Sequence, residues 1–204
     1  MLAKKACVPS IYHQPKVAIE ELRPFLKKLC SYEFIDDEEF NGKAIQFLEL
    51  YEKTLEPELL WRLARACVER SRFTIVNGRK ISPEEKVYFI KKAFELGREA
   101  LKQAKESSSG AHKWYAITLI TLMKEYAPSD QLSCFNNSKK FRKTLAPTDG
   151  DVQAEIRAHL ERAVELDPKD HYAWYILGTQ YRAIKDQEKA SKCFEKAGDI
   201  QVAI

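Results

Sequence analysis

Four cations stand within five residues at Lys139, Lys140, Arg142 and Lys143, with Phe141 in their midst. The chemistry open to such a cluster is a screened, low-specificity attraction to an acidic surface, with one apolar anchor; a solvated basic loop is the competing reading. Nucleic acid fits less well, because no aromatic platform or recognised binding motif accompanies the charges. The other reactive side chains do not assemble into a catalytic set. His13, His112, His159 and His171 are scattered, and Glu84-Glu85 and Asp36-Asp37-Glu38-Glu39 are explained by helix-dipole compensation and solvation. There is no P-loop, no GxSxG and no HExxH. We therefore expect no enzyme activity, no metal and no cofactor. His112 and His171 recur at the start of two similar segments, where they would either line a ligand groove or simply pack.

The elements that would position a groove are legible near the C-terminus. Residues 171–204 place Trp174, Leu177, Gly178, Tyr181, Ala190, Phe194 and Ala197 at a spacing that resembles one tetratricopeptide repeat. The large side chains fall on one face of a first helix, and Gly178 and Ala190 are small where two helices must approach closely. One such hairpin cannot bury its apolar face alone, so others should stack on it. Trp61 and Trp114 sit where Trp174 sits. They give repeats near 58–104, with Ala93, Gly97 and Ala100 at the small positions, and near 111–166, with an insertion at 128–150. The expected fold is all-α, a tetratricopeptide-repeat-like stack of antiparallel helix pairs forming a superhelical solenoid.

Such a stack lines its inner groove from positions two, five, nine, twelve and thirteen of each first helix. These are Leu59, Arg62, Ala66, Glu69 and Arg70, then His112, Tyr115, Leu119, Leu122 and Met123, then Tyr172, Tyr175, Thr179, Arg182 and Ala183. The lining grades from charged to apolar and aromatic. That suits an extended or helical peptide with apolar anchors, or a lipid tail. For Leu119, Leu122 and Met123 core packing is the alternative. No Asn stands at position nine, so capture of a C-terminal carboxylate is set aside.

Composition fits this frame. The 204 residues carry a net charge of +4, too balanced to argue nucleic acid. No apolar run approaches the ~18 residues of a membrane span, so no transmembrane segment is expected. The five cysteines never form a CxxC pair and read as reduced thiols of a cytosolic protein. Residues 1–15 read as a flexible lead-in and 16–204 as a single helical repeat domain. A helix over 16–29 contains Pro24 as an internal fault, and another, ending before Pro57, packs beneath the first repeat. Asn77-Gly78 reads as a polar turn, and Ser82-Pro83-Glu84-Glu85 as a capped helix start.

The wording of Pro57-Glu58-Leu59-Leu60-Trp61-Arg62-Leu63-Ala64-Arg65-Ala66, His112-Lys113-Trp114-Tyr115-Ala116-Ile117 and Ala163-Val164-Glu165-Leu166-Asp167-Pro168-Lys169-Asp170 resembles the regulator of microtubule dynamics proteins. The likeness covers about residues 40–178. It implies an all-helical repeat domain that binds tubulin or microtubules in the cytoplasm and acts at spindle poles and in chromosome segregation. A membrane-anchored relative implies an alternative, a lipid-binding or tethering module at an organelle contact. The insertion after Tyr126 and a third repeat of ordinary length are this chain's departures from that pattern.

Overall fold

The structure, a computed structural model, describes residues 19–30, 37–76, 78–126 and 152–202. Chain contacts divide it into two compact units, Met1–Glu33 and Phe34–Ile204. The first holds α1 (Ile19–Cys30), which contains Pro24 and carries Lys27 and Lys28 in its last turn. The expected lead-in over 1–15 and the basic cluster at 139–143 lie outside the described residues.

The second unit begins with α2 (Glu38–Glu49) and a 3-10 turn (Glu52–Thr54), followed by α3 (Pro57–Arg72). A two-stranded ribbon, β1 (Ile75–Val76) and β2 (Arg79–Lys80), then leads to α4 (Pro83–Gln103) and α5 (Ser109–Tyr126). The described chain ends with α6 (Val152–Leu166), α7 (His171–Ala183) and α8 (Gln187–Val202). The starts of α2, α4, α7 and α8 are capped by a short polar side chain that accepts from a backbone N–H without a helical partner, whereas α3 begins at Pro57 with no side-chain cap. Asp37 accepts from Phe40 at 2.7 Å, Asp170 from Ala173 at 3.0 Å and Asp186 from Lys189 at 3.1 Å. Ser82 and Glu85 form a reciprocal capping box, with Pro83 entering the first turn. Helix exits use left-handed residues without glycine: Leu55, Lys105, Glu106 and Lys185 all have positive φ. Each costs roughly 1 kcal/mol that packing must offset.

The helices pair as neighbours, α3 with α4, α5 with α6 and α7 with α8, and the pairs stack through α4 with α5, α3 with α5 and α6 with α7. Missing side chains mark the close approaches. A Cβ on Gly97 would lie 3.3 Å from the Tyr115 ring, one on Gly110 2.5 Å from Trp61, and one on Gly178 2.7 Å from Phe194. Trp61 and Trp114 are buried, and Trp174 is half-buried with its Nε1 donating to the Pro168 carbonyl at 3.0 Å. Polar ties join the pairs: Ser108 donates to Glu58 at 3.3 Å, Ser109 to the Ala163 carbonyl at 3.0 Å, and Lys113 pairs with Asp170.

The ribbon is the departure from an all-helical reading. Ile75 pairs with Lys80 and Val76 with Arg79, and Gly78 takes the positive φ their connection needs. Arg79 grips Glu85 through two 2.6 Å hydrogen bonds, fastening the ribbon to the start of α4. That pair and the Ser82 N–H hold the Glu85 carboxyl down at about 2.

Candidate partner-binding face

The five groove positions meet a different fate in each repeat. In the first, α2 lies across α3: the Asn41 amide donates to the Ala66 carbonyl at 3.0 Å, and Arg70 donates to the Glu38 carbonyl at 3.2 Å. Leu59, Ala66, Glu69 and Arg70 are enclosed there. Arg62 is folded back onto its own helix, bonded to Glu58 and stacked 4.0 Å over the Trp61 ring. The charge seen in the sequence at this end is thus spent on internal pairing.

In the second repeat the structure places His112, Tyr115, Leu119 and Leu122 in the interior. Tyr115 has α4 on one side, with Phe94 at 5.6 Å, and α6 on the other, with His159 edge-on at 4.9 Å. Its hydroxyl donates to Glu155 at 3.0 Å, and burial, then Glu155, hold it well above the usual tyrosine range. His112 Nε2 lies 3.2 Å from the Glu106 carbonyl, and its Nδ1 lies 2.8 Å from His159 Nδ1. A carbonyl only accepts, so Nε2 of His112 carries a proton; in the neutral pair its Nδ1 accepts and His159 donates from Nδ1. Both rings favour the neutral form. Burial is the main reason: it lowers His112, against the opposing pull of Glu106, and brings His159 down to about 4 with the help of His112. Met123 alone of this set reaches solvent, 38% exposed.

The third repeat keeps its face open. Tyr172, Tyr175, Thr179 and Arg182 recur at helical spacing on α7; Tyr175 is 52% exposed, Arg182 is exposed, and Tyr172 and Thr179 are half-buried. Between Tyr175 and Arg182 sits Phe194 of α8, its ring 5.8 Å from Tyr175 and 5.5 Å below the Arg182 guanidinium. It lies directly over Gly178, which has no side chain to keep it away. Thr179 is satisfied within the helix, donating to the Ile176 carbonyl at 2.6 Å.

Two members of these clusters escape the groove template. Phe194 belongs to a second helix, which the template does not count as lining. His159 follows Ile156 by three residues and precedes Leu160 and Ala163 on the buried stripe of α6, so helical periodicity did carry its signal. Among the described residues, no three His, Cys, Asp or Glu side chains gather as a metal site, and no helix is long and apolar enough to cross a membrane. Cys67 is packed in α3, and burial pushes its thiol up to about 12.

Comparison with known proteins assigns the scaffold. A sequence model of the family described as Regulator of microtubule dynamics protein 1-3 matches residues 28–146. The chain belongs to that family. A tetratricopeptide-repeat model matches residues 159–190, the end of α6, all of α7 and the start of α8. Regulator of microtubule dynamics protein 1 of Mus musculus is 34% identical over 136 residues, covering 67% of this chain and 37% of that protein. Its Homo sapiens counterpart is 32% identical over 118 residues, covering 58% and 30%. The chain thus spans about a third of the length of the curated relatives it matches. A solved structure described as MamA RS-1 ArsTM double mutant is 14% identical and covers 90% of this chain and 94% of its own, with a TM-score of 0.32. The fold rests instead on the helix pairing itself.

Proposed function

We propose that this chain is a non-enzymatic, partner-binding repeat domain that regulates microtubule dynamics from the cytoplasm, acting on microtubules at the spindle and in chromosome segregation. Family membership over residues 28–146 is the observation that carries the reading. Two surfaces would divide the work. The cations Lys139, Lys140, Arg142 and Lys143 fall within the matched span, and would meet an acidic polymer surface by long-range attraction that salt weakens. The open face of α7, with Tyr175 and Arg182 at its centre, would take a peptide segment of a second protein. The acyl-chain alternative loses its lining, since Leu119 and Leu122 are enclosed. The test is to add the purified chain to dynamic microtubules and follow single filaments by light microscopy. A dose-dependent change in growth rate or catastrophe frequency is expected; filaments indistinguishable from buffer controls at saturating protein would overturn the proposal.

A further inference from the structure

The open face of α7 is more specific than a generic groove. Three groups converge on it: the Tyr175 ring, the Phe194 ring lying over Gly178, and the Arg182 guanidinium. Tyr175 is more than half exposed, and its hydroxyl has no hydrogen-bond partner among the described residues. Arg182 is exposed and pairs with no carboxylate among the described residues, its contact being the face of Phe194. Several other cations of the second unit are paired, Lys92 with Glu49, Arg79 with Glu85, Lys113 with Asp170, Arg162 with Glu165 and Lys192 with Glu188; Arg182 differs from the unpaired lysines in being held against an aromatic ring. A guanidinium held by an aromatic ring at one face still presents its N–H edge, and that edge is shaped for two parallel hydrogen bonds to a carboxylate.

Resting on the reading of this face as a partner site, we infer that α7 and α8 bind a peptide segment that pairs one aromatic or large aliphatic side chain with one Asp or Glu. The apolar group lies on the Tyr175–Phe194 shelf, and the carboxylate reaches Arg182. The spacing is set by the fold. The shelf and the guanidinium lie within 6 Å of each other through Phe194. Side chains that far apart on one side of a segment are residues i and i+2 of a strand, or i and i+3 or i+4 of a helix. Neither half would select a partner alone, because an exposed ion pair is weak and screened, and one ring contact accepts any apolar group. Together they exclude basic segments, which Arg182 repels, and acidic segments without an anchor, which leave the shelf wet.

The inference is tested with random decapeptides displayed on phage, selected against the whole chain and, in parallel, against Arg182→Glu and Tyr175→Ala. Both substituted side chains are exposed, and far-UV circular dichroism checks that the variants keep the helical fold. Wild type is expected to enrich an apolar residue two to four positions from Asp or Glu, and Arg182→Glu to replace that acid by Lys or Arg. A synthetic copy of the enriched peptide should bind Arg182→Glu about tenfold more weakly or worse, Tyr175→Ala more weakly than wild type, and wild type less well at high salt. No enrichment, or one motif unchanged on both variants, overturns the inference. No tubulin enters this experiment, so its failure leaves the microtubule reading standing, and failure of the microtubule assay leaves this one standing.

Discussion

Trp61, Trp114 and Trp174 occupy one position of the repeat, yet the structure gives them unequal surroundings. Trp114 is only 2% exposed and has the Arg65 guanidinium 5.3 Å over its ring, whereas Trp174 is half-buried beside the turn it ties through Pro168. Trp114→Ala should therefore cost about 3–5 kcal/mol and Trp174→Ala about half of that, read from urea denaturation. Equal costs would contradict the packing described. Repeat spacing encodes which face a side chain takes, but not how many neighbours close over it. The same gap separates Tyr115 from Tyr175, both read from the sequence as groove residues and found respectively enclosed and open. A second residue-scale consequence concerns His159, whose pKa falls from an ordinary 6.5 to about 4. Between those values the unfolded chain binds more protons, so this contribution is whole above 6.5 and lost as pH falls toward 4. Charged and titratable neighbours are His112, Glu106, Arg162, Tyr115 and Glu155. From pH 7.5 to 5, wild type should lose on the order of 2 kcal/mol more stability than His159→Gln. Matching pH slopes for the two proteins would contradict a neutral, desolvated His159.

At the scale of elements, available space decides the sign of a glycine substitution. Gly110, the second residue of α5, lies directly against Trp61, and a methyl there would meet ring atoms at 2.5–2.9 Å. Gly110→Ala should destabilise by about 1–3 kcal/mol despite the better helix propensity of alanine. Gly198, in α8, has nothing within 4 Å of its Cβ position, and Gly198→Ala should stabilise by about 0.5–1 kcal/mol. Thermal melting of both variants checks the pair, and shifts of the same sign would contradict it. Helix starts were readable because their signals are local: Ser82, Pro83 and Glu85 name a cap, and Asp170 sits just ahead of the Trp174 run. Exits were harder to read, since Lys105, Glu106 and Lys185 adopt positive φ without the glycine that usually announces it. The ribbon escaped notice because strands of two residues are too short to show an alternating pattern. That α2 would pack beneath the first repeat was legible in its apolar stripe; that it would occupy the groove positions of α3 was not, because only contacts between distant residues such as Asn41 and Ala66 decide it.

For the whole molecule, periodicity specified a stack of helix pairs, while the wording of particular segments specified the family. Small residues at 93, 97 and 100 and the Trp174–Phe194 pattern are what any close helix pairing requires, so they are silent on partner. The candidate cations at 139–143 lie outside the described residues, and the role proposed for them rests on charge alone. Whether this repeat domain acts on microtubules is decided by sedimenting the purified chain with polymerised tubulin over a salt series. A variant with Lys139, Lys140, Arg142 and Lys143 changed to Glu is carried in parallel. Wild type is expected to enter the pellet at low salt, with the bound fraction falling as salt rises and the reversed variant binding several-fold more weakly. Wild type remaining in the supernatant at low salt and saturating polymer would contradict the microtubule reading.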